Sequence, residues 1–330
     1  MPALCMVLLA ACKKDNEQSK TTEPPVVKYP VSFNLSNFSQ IISPIASAEK
    51  NRQTFALTPT DSLKLATTNL TYVVFDSDGN QVNRLSQLAS VPANTYKLIS
   101  SGPKLISTNG VYGQITDSLA VGAYTVVLIG STKQISLNTP DDSKSAAGAN
   151  QFYPVMPLQT SAIYFQSNDK PGDLFYYKGT INVTAGNNTA KKATLNRIVG
   201  QLTLNIEDPI PPSAASMELT VVDNTGYKIS SNSPNGALIS HIYGTSFTAS
   251  DKGKSNFSYP LYVINTATPF AIQIRIYDAQ DNVLLSKTIN SISVKANQKT
   301  TLTGKLFGAS SNLSTGVSSD WGLAGTTIKF

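Results

Sequence analysis

The sequence predicts an all-β protein, with two antiparallel β-sandwiches in tandem behind a polar N-terminal tether. Three observations carry that reading. Apolar residues alternate with polar ones in short runs, the period of a half-buried strand rather than of a helix. No stretch combines helical periodicity with end caps, and residues 42–57 and 85–99 are the best places for short helices. Charged residues make up only 14% of the chain and hydrophobic ones 41%, a balance that suits sheets with a buried face and an outer face of hydroxyls and amides. A length of 330 residues accommodates two such domains.

The elements follow in order. Ala3–Ala11 is an apolar run ending in small residues, too short to cross a bilayer. It reads as the apolar core of a secretory signal, residues 1–11. Its end, Leu9-Ala10-Ala11-Cys12, resembles the bacterial lipobox, which implies cleavage before Cys12 and lipidation of its thiol. No Lys or Arg precedes the run, so the start is expected a few residues upstream. Residues 12–30 are polar, carry Pro24, Pro25 and Pro30, and read as a tether. Lys13-Lys14-Asp15-Asn16-Glu17 also resembles the surface-export signals of Bacteroidetes lipoproteins.

The first sandwich is assigned to residues 31–193. Val31, Phe33 and Leu35 share one face of a strand. Leu70–Phe75 is a second strand, turned back by Asp76-Ser77-Asp78-Gly79-Asn80. The same acidic turn mimics the opening of a calcium loop, but Gln87 stands where the bidentate Glu would be, which favours a plain turn. Tyr124–Ile129 is apolar almost without a break and reads as buried on both faces. Residues 138–150 read as an exposed loop, Phe175–Val183 as a strand, and Ala185–Asn188 as its turn.

The second sandwich is assigned to residues 194–330. Leu195–Ile206 reads as one long strand stopped by Pro209, Pro211 and Pro212. Met217–Val222 is followed by an expected turn at Asp223–Gly226. Phe270–Asp278 alternates cleanly, and strands at 283–285, 292–294 and 300–306 follow.

Chemistry is sparse. The net charge is +6 with the basic residues scattered, so no stripe for nucleic acid emerges. The lone histidine, His241, has neither a nucleophile elbow nor a cysteine outside the first dozen residues to work with. Zinc needs three or four ligands of His, Cys or carboxylate type, and one His without body cysteines nearly excludes it. The carboxylates Asp117, Asp141, Asp142, Glu207 and Asp208 sit mostly in turn-like contexts rather than as an evident acid pair. The reading is therefore no enzyme, no catalytic residue, no metal and no cofactor. Tyr112, Tyr153, Tyr164, Tyr176 and Tyr177 could form a stacking platform for sugars, or could simply pack in the cores.

Several pieces in sequence resemble the FimB-type fimbrillin and fimbrial-anchor lipoproteins of Bacteroidetes, the type V pili. They are Cys12 with its tether, Leu70–Gln81 paired with Asp117–Ser131, Leu195–Ile206, Val294–Phe307, and the terminus from Asp320-Trp321 to Phe330. The resemblance implies transthyretin-like sandwiches and a surface lipoprotein that anchors or accompanies fimbriae. Its partners would be other fimbrial subunits and the outer membrane, through a lipid, and subunits of that family join by β-strand exchange. The implied donor is the segment 312–330, with Trp321, Leu323, Ile328 and Phe330 as apolar anchors. The same segment could equally fold back into its own sandwich. In polymerising members a protease removes the first strand after an Arg, which here points to Arg52. Without that cut the protein stays on the membrane as an anchor. Asp61-Ser62-Leu63 and Asp117-Ser118-Leu119 match a short O-glycosylation pattern of Bacteroidetes. The alternative to a fimbrial role is a surface glycan-binding lipoprotein without catalytic activity.

Overall fold

The computed structural model describes residues 26–38, 63–64, 66–89, 104–105, 112–137, 157–165, 170–187, 189–308 and 313–318. Among them, only Leu63, Lys64 and Ala66 are α-helical. The strands of the N-terminal half are β1 (Lys28–Phe38), β2 (Asn69–Phe75), β3 (Gln81–Leu88), β4 (Lys104–Leu105), β5 (Gln114–Ala120), β6 (Gly122–Ser131), β7 (Ile135–Leu137), β8 (Ala162–Phe165), β9 (Leu174–Val183) and β10 (Thr189–Arg197). Those of the C-terminal half are β11 (Gly200–Ile206), β12 (Ser216–Lys228), β13 (Ser233–Ser246), β14 (Phe257–Val263), β15 (Phe270–Tyr277), β16 (Val283–Ile292), β17 (Lys299–Gly304) and β18 (Leu313–Ser318).

Three sheets result. The first runs β4-β3-β2-β6-β9-β10-β1-β5. The second runs β14-β11-β17-β18, and the third β16-β15-β12-β8-β7, with β13 paired to β12 outside that path. The protein is thus all-β, with sheets facing one another across apolar layers. Most pairs are antiparallel, but β1 runs parallel to β10, β3 to β4 and β11 to β17.

Three cores explain the hydrophobic pattern. One lies inside the first sheet's curve and takes Val31, Phe33 and Leu35 of β1, Tyr72 and Val74 of β2, and Val126 and Leu128 of β6. A second fills the space between the sheets of the C-terminal half, with Leu202, Leu204 and Ile206 of β11 meeting Met217, Leu219 and Val221 of β12 and Ile272, Ile274 and Ile276 of β15. The third lies behind β2, β6 and β9, where Val73, Phe75, Val127, Ile129 and Tyr176 pack with Ile163, Phe165 and Tyr227. Strands β2 and β6 therefore bury both faces, which is why their sequences are nearly unbroken apolar runs. β15, with one face on the core, keeps the strict alternation. Each fully buried Val, Leu, Ile or Phe contributes about 1.5–3 kcal/mol relative to exposure.

The acidic turn after β2 is a plain turn. Asp76 accepts the backbone N–H of Asp78 and Asn80, and the Asn80 side-chain amide donates to its second oxygen. Gly79 takes φ +82°, a conformation that favours glycine. The same device closes β15–β16: Asp278 accepts the N–H of Gln280 and Asn282 and the Asn282 amide, with Asp281 at φ +61°.

Four local expectations change. The strands expected separately at 283–285 and 292–294 are one strand, β16, which ends at Ile292 because it pairs with β15 as far as Phe270. Asp223–Gly226 is no turn; it lies inside β12, with a register shift between Asn224 and Gly226. The reason is tertiary. A Cβ at Gly226 would sit 2.4 Å from the Ile163 carbonyl oxygen, so glycine here permits close approach of β8. Leu195–Ile206 is two strands, β10 and β11, separated at Ile198-Val199 as the chain passes from one sheet to another. Residues 85–88, the start of one expected helix, belong to β3. The other expected helix, 42–57, and the loop 138–150 lie outside the described residues.

Candidate strand-exchange site

β1 is set between two neighbours. Lys28–Asn34 pairs antiparallel with Ala120–Gln114 of β5. On its other edge Val31–Asn34 pairs parallel with Thr189–Lys192 of β10, and after a shift Asn37 and Phe38 face Thr194 and Leu195. Its alternation places Val31, Phe33 and Leu35 in the core, exposed by only 1%, 2% and 4%. The Phe33 ring meets Tyr72 at 5.4 Å between centroids. Asn34, between two core residues, is exposed. The strand is thus held by backbone pairing on both sides and by three apolar side chains on one face.

The second element is the end of the chain. β18 pairs with β17 over its full length, Gly304↔Leu313 to Lys299↔Ser318, and lies at the rim of the four-stranded sheet. The turn that leads toward it is fixed by one carboxylate. Asp208 accepts the backbone N–H of Leu306 at 2.9 Å, Phe307 at 2.6 Å and Gly308 at 3.0 Å. A buried carboxylate with three backbone donors fixes the bend from which the terminal segment departs. Nothing in the sequence signals this role beyond an acidic residue placed shortly after β11.

The remaining residues singled out in the sequence fall in different places. Cys12, Arg52, Trp321, Leu323, Ile328 and Phe330 lie outside the described residues, as do Asp141, Asp142 and Tyr153. Asp117 accepts hydrogen bonds from the Tyr72 hydroxyl, the Asn83 amide and the Ser118 N–H, so it braces β5 against β2 and β3. His241 stacks on Tyr243 at 6.0 Å, and burial holds its imidazole below the usual histidine range. Tyr112 is buried and bonded to Thr67. Tyr176 is buried, and its hydroxyl donates to the Ile229 carbonyl at 3.1 Å. Tyr164 and Tyr177 are partly buried. These four rings are dispersed through the packing rather than gathered on one exposed face.

Residues 50–326 match the family described as Fimbrillin-A associated anchor proteins Mfa1 and Mfa2. The chain belongs to this family. The match takes in every strand except β1, which precedes it. Among solved structures, the fimbrial anchor protein Mfa2 from Porphyromonas gingivalis is similar at 10% identity and a TM-score of 0.46, covering 88% of this chain and 97% of that one. A fimbrial assembly protein from Parabacteroides distasonis is similar at 9% identity and a TM-score of 0.42, covering 89% and 96%. A candidate adhesin from Bacteroides ovatus is similar at 14% identity and a TM-score of 0.48, covering 90% and 95%. No curated protein matches the chain.

Proposed function

We propose that this member of the fimbrial anchor family is an anchor or accessory subunit of surface fimbriae, held at the outer membrane by lipid on Cys12 and joined to other fimbrial subunits by β-strand exchange. The observation that carries the reading is the seat of β1. It is the first strand among the described residues, it lies between β5 and β10, and it contributes three core side chains. A strand so placed leaves, when withdrawn, two rows of unpaired backbone groups and three apolar pockets for a neighbour's strand; while the chain is intact through Arg52, β1 fills that seat itself and the exchange runs through the segment 312–330.

The lipid and the strand are covalently linked. Cys12 lies sixteen residues before Lys28, so acylation places β1 and everything paired with it at the membrane. A cut after Arg52 would separate Cys12 and β1 covalently from all later strands. In the anchor reading that bond stays intact. The reading assigns the protein no catalytic step.

Mass spectrometry of the native mature N-terminus, together with electrophoresis of unheated fimbrial extracts, tests it. An acylated Cys12, an intact chain through Arg52 and heat-resistant ladders that vanish on deletion of 312–330 are expected. An N-terminus just after Arg52 would make the protein a released subunit instead of an anchor. An unacylated chain beginning at Met1, or ladders unaffected by the deletion, would overturn the reading.

A further inference from the structure

The edges of the sheets are unequal. β7 has three residues and β4 two. β14 carries Pro260, and β16 carries Lys287 and meets β15 through two register shifts. Short strands, prolines, lysines and bulges are the usual protections of a sheet edge. β13 has far fewer of them. It runs for fourteen residues without a Lys, Arg, Asp or Glu, and its single proline, Pro234, is at the start. Among the described residues it pairs with β12 alone. Leu238, Ile239 and Ile242 are 47%, 41% and 61% exposed, although Tyr243 beside them is buried. From Leu238 to Ser246 the pairing with β12 is unbroken, so the outer edge of this stretch is a regular row of backbone donors and acceptors.

We propose that the outer edge of β13 pairs antiparallel with β13 of a second copy of this chain, joining the two six-stranded sheets across a two-fold axis at Ser240. The sequence of the strand selects that occupant. With Ser240 opposite itself, Leu238 faces Ile242 of the second copy and Ile239 faces His241. Leu238 and Ile242 lie on the same sheet face, two strand periods apart, so both exposed aliphatic side chains of that face find an aliphatic partner, twice over by symmetry. The absence of charge on the strand means that neither copy meets a like charge. The register shift beside Asn224 bounds the regular stretch at Leu238, whose partner across the axis is Ile242. The paired stretch is therefore about five residues, short of a standard interface, and the dimer is a weak one. This pairing is independent of the terminal segment and of β1.

Sedimentation of the full chain over a concentration series tests it. The wild type is expected to pass from monomer to dimer. The double variant Leu238→Lys, Ile242→Lys sets lysine against lysine and is expected to weaken association at least about ten-fold while leaving the thermal midpoint unchanged. Should that variant misfold, Ser240→Cys supplies the second reading: mild oxidation is expected to give a disulfide joining position 240 of the two copies, identified by peptide mass spectrometry, because directly opposed residues lie within disulfide reach. Deleting 312–330 is expected to leave the dimer intact, which separates this contact from strand exchange. A monomer at every concentration, a dimer indifferent to the lysines, or a dimer lost with the terminal segment would overturn the proposal.

Discussion

Three buried aspartates tie together parts of the chain that lie far apart in sequence. Asp208 gathers the N–H groups of residues 306–308. Asp173 receives the Arg197 guanidinium through two hydrogen bonds, at 2.7 and 2.8 Å, while the Asn297 side chain accepts a third from the same arginine. Removing one partner of such a pair leaves an uncompensated buried charge, a loss of about 3–5 kcal/mol. Asp223 accepts the N–H of Asn224, Ile264 and Asn265, tying the loop after β14 to β12. Burial pushes its carboxyl up to about 6, against the opposing pull of these backbone donors. Between pH about 3.8 and about 6, the folded state then holds a proton that the unfolded state has released. The stabilisation linked to Asp223 is complete below that window and is lost as the pH rises through it, at up to about 1.4 kcal/mol per unit. Denaturation midpoints measured from pH 4 to 7 are expected to fall with pH more steeply in the wild type than in Asp223→Asn. Parallel profiles would show that Asp223 does not titrate there.

Strand β1 shows how an element can be firm and exchangeable at once. Its backbone groups pair on both edges, Tyr29 packs partly buried against the core, and Val31, Phe33 and Leu35 are buried in it. Phe33 is the largest of the buried three and contacts Tyr72. Phe33→Ala is expected to cost about 3–5 kcal/mol in denaturant unfolding, whereas Asn34→Ala, on the exposed side, is expected to stay within about 0.5 kcal/mol. Equal losses at both positions would mean that β1 is held by its backbone alone. The two acidic turns act at the same scale. Each turns an Asp side chain back on its own backbone, and each joins antiparallel neighbours whose register shifts by a bulge just before the turn, at Val74/Phe75 and at Ile276/Tyr277.

The third core makes the halves interdependent. β8 leaves the N-terminal half to pair with β12 and carries β7 on its other edge, and the apolar faces of both pack on the backs of β2, β6 and β9. Tyr176 and Lys178 of β9 also donate to carbonyls just after β12, at Ile229 and Ser230. The molecule is therefore expected to unfold in a single calorimetric transition. Tyr176→Ala removes a buried ring and a hydroxyl donor at this junction and is expected to resolve two transitions. One undivided transition in that variant would mean that the other contacts couple the halves by themselves.

Alternation and run length were enough to specify an all-β chain, the one-sided burial of β15, the two-sided burial of β6, and the turn after β2. These properties are local: a side chain's face follows from its parity along a strand, and an Asx turn bonds only to itself. Tertiary contact decided the rest. β12 continues through Asp223–Gly226 because β8 approaches the glycine and the loop after β14 captures the aspartate. The run from Leu195 to Ile206 breaks because its two ends join different sheets. Likewise β1 lies beside β5 and β10, and β13 is left at a rim, through pairings between residues far apart in the chain. Parity records which face of a strand is buried and carries no information about which strand lies beside it, because backbone hydrogen bonds are the same for every residue that can donate them.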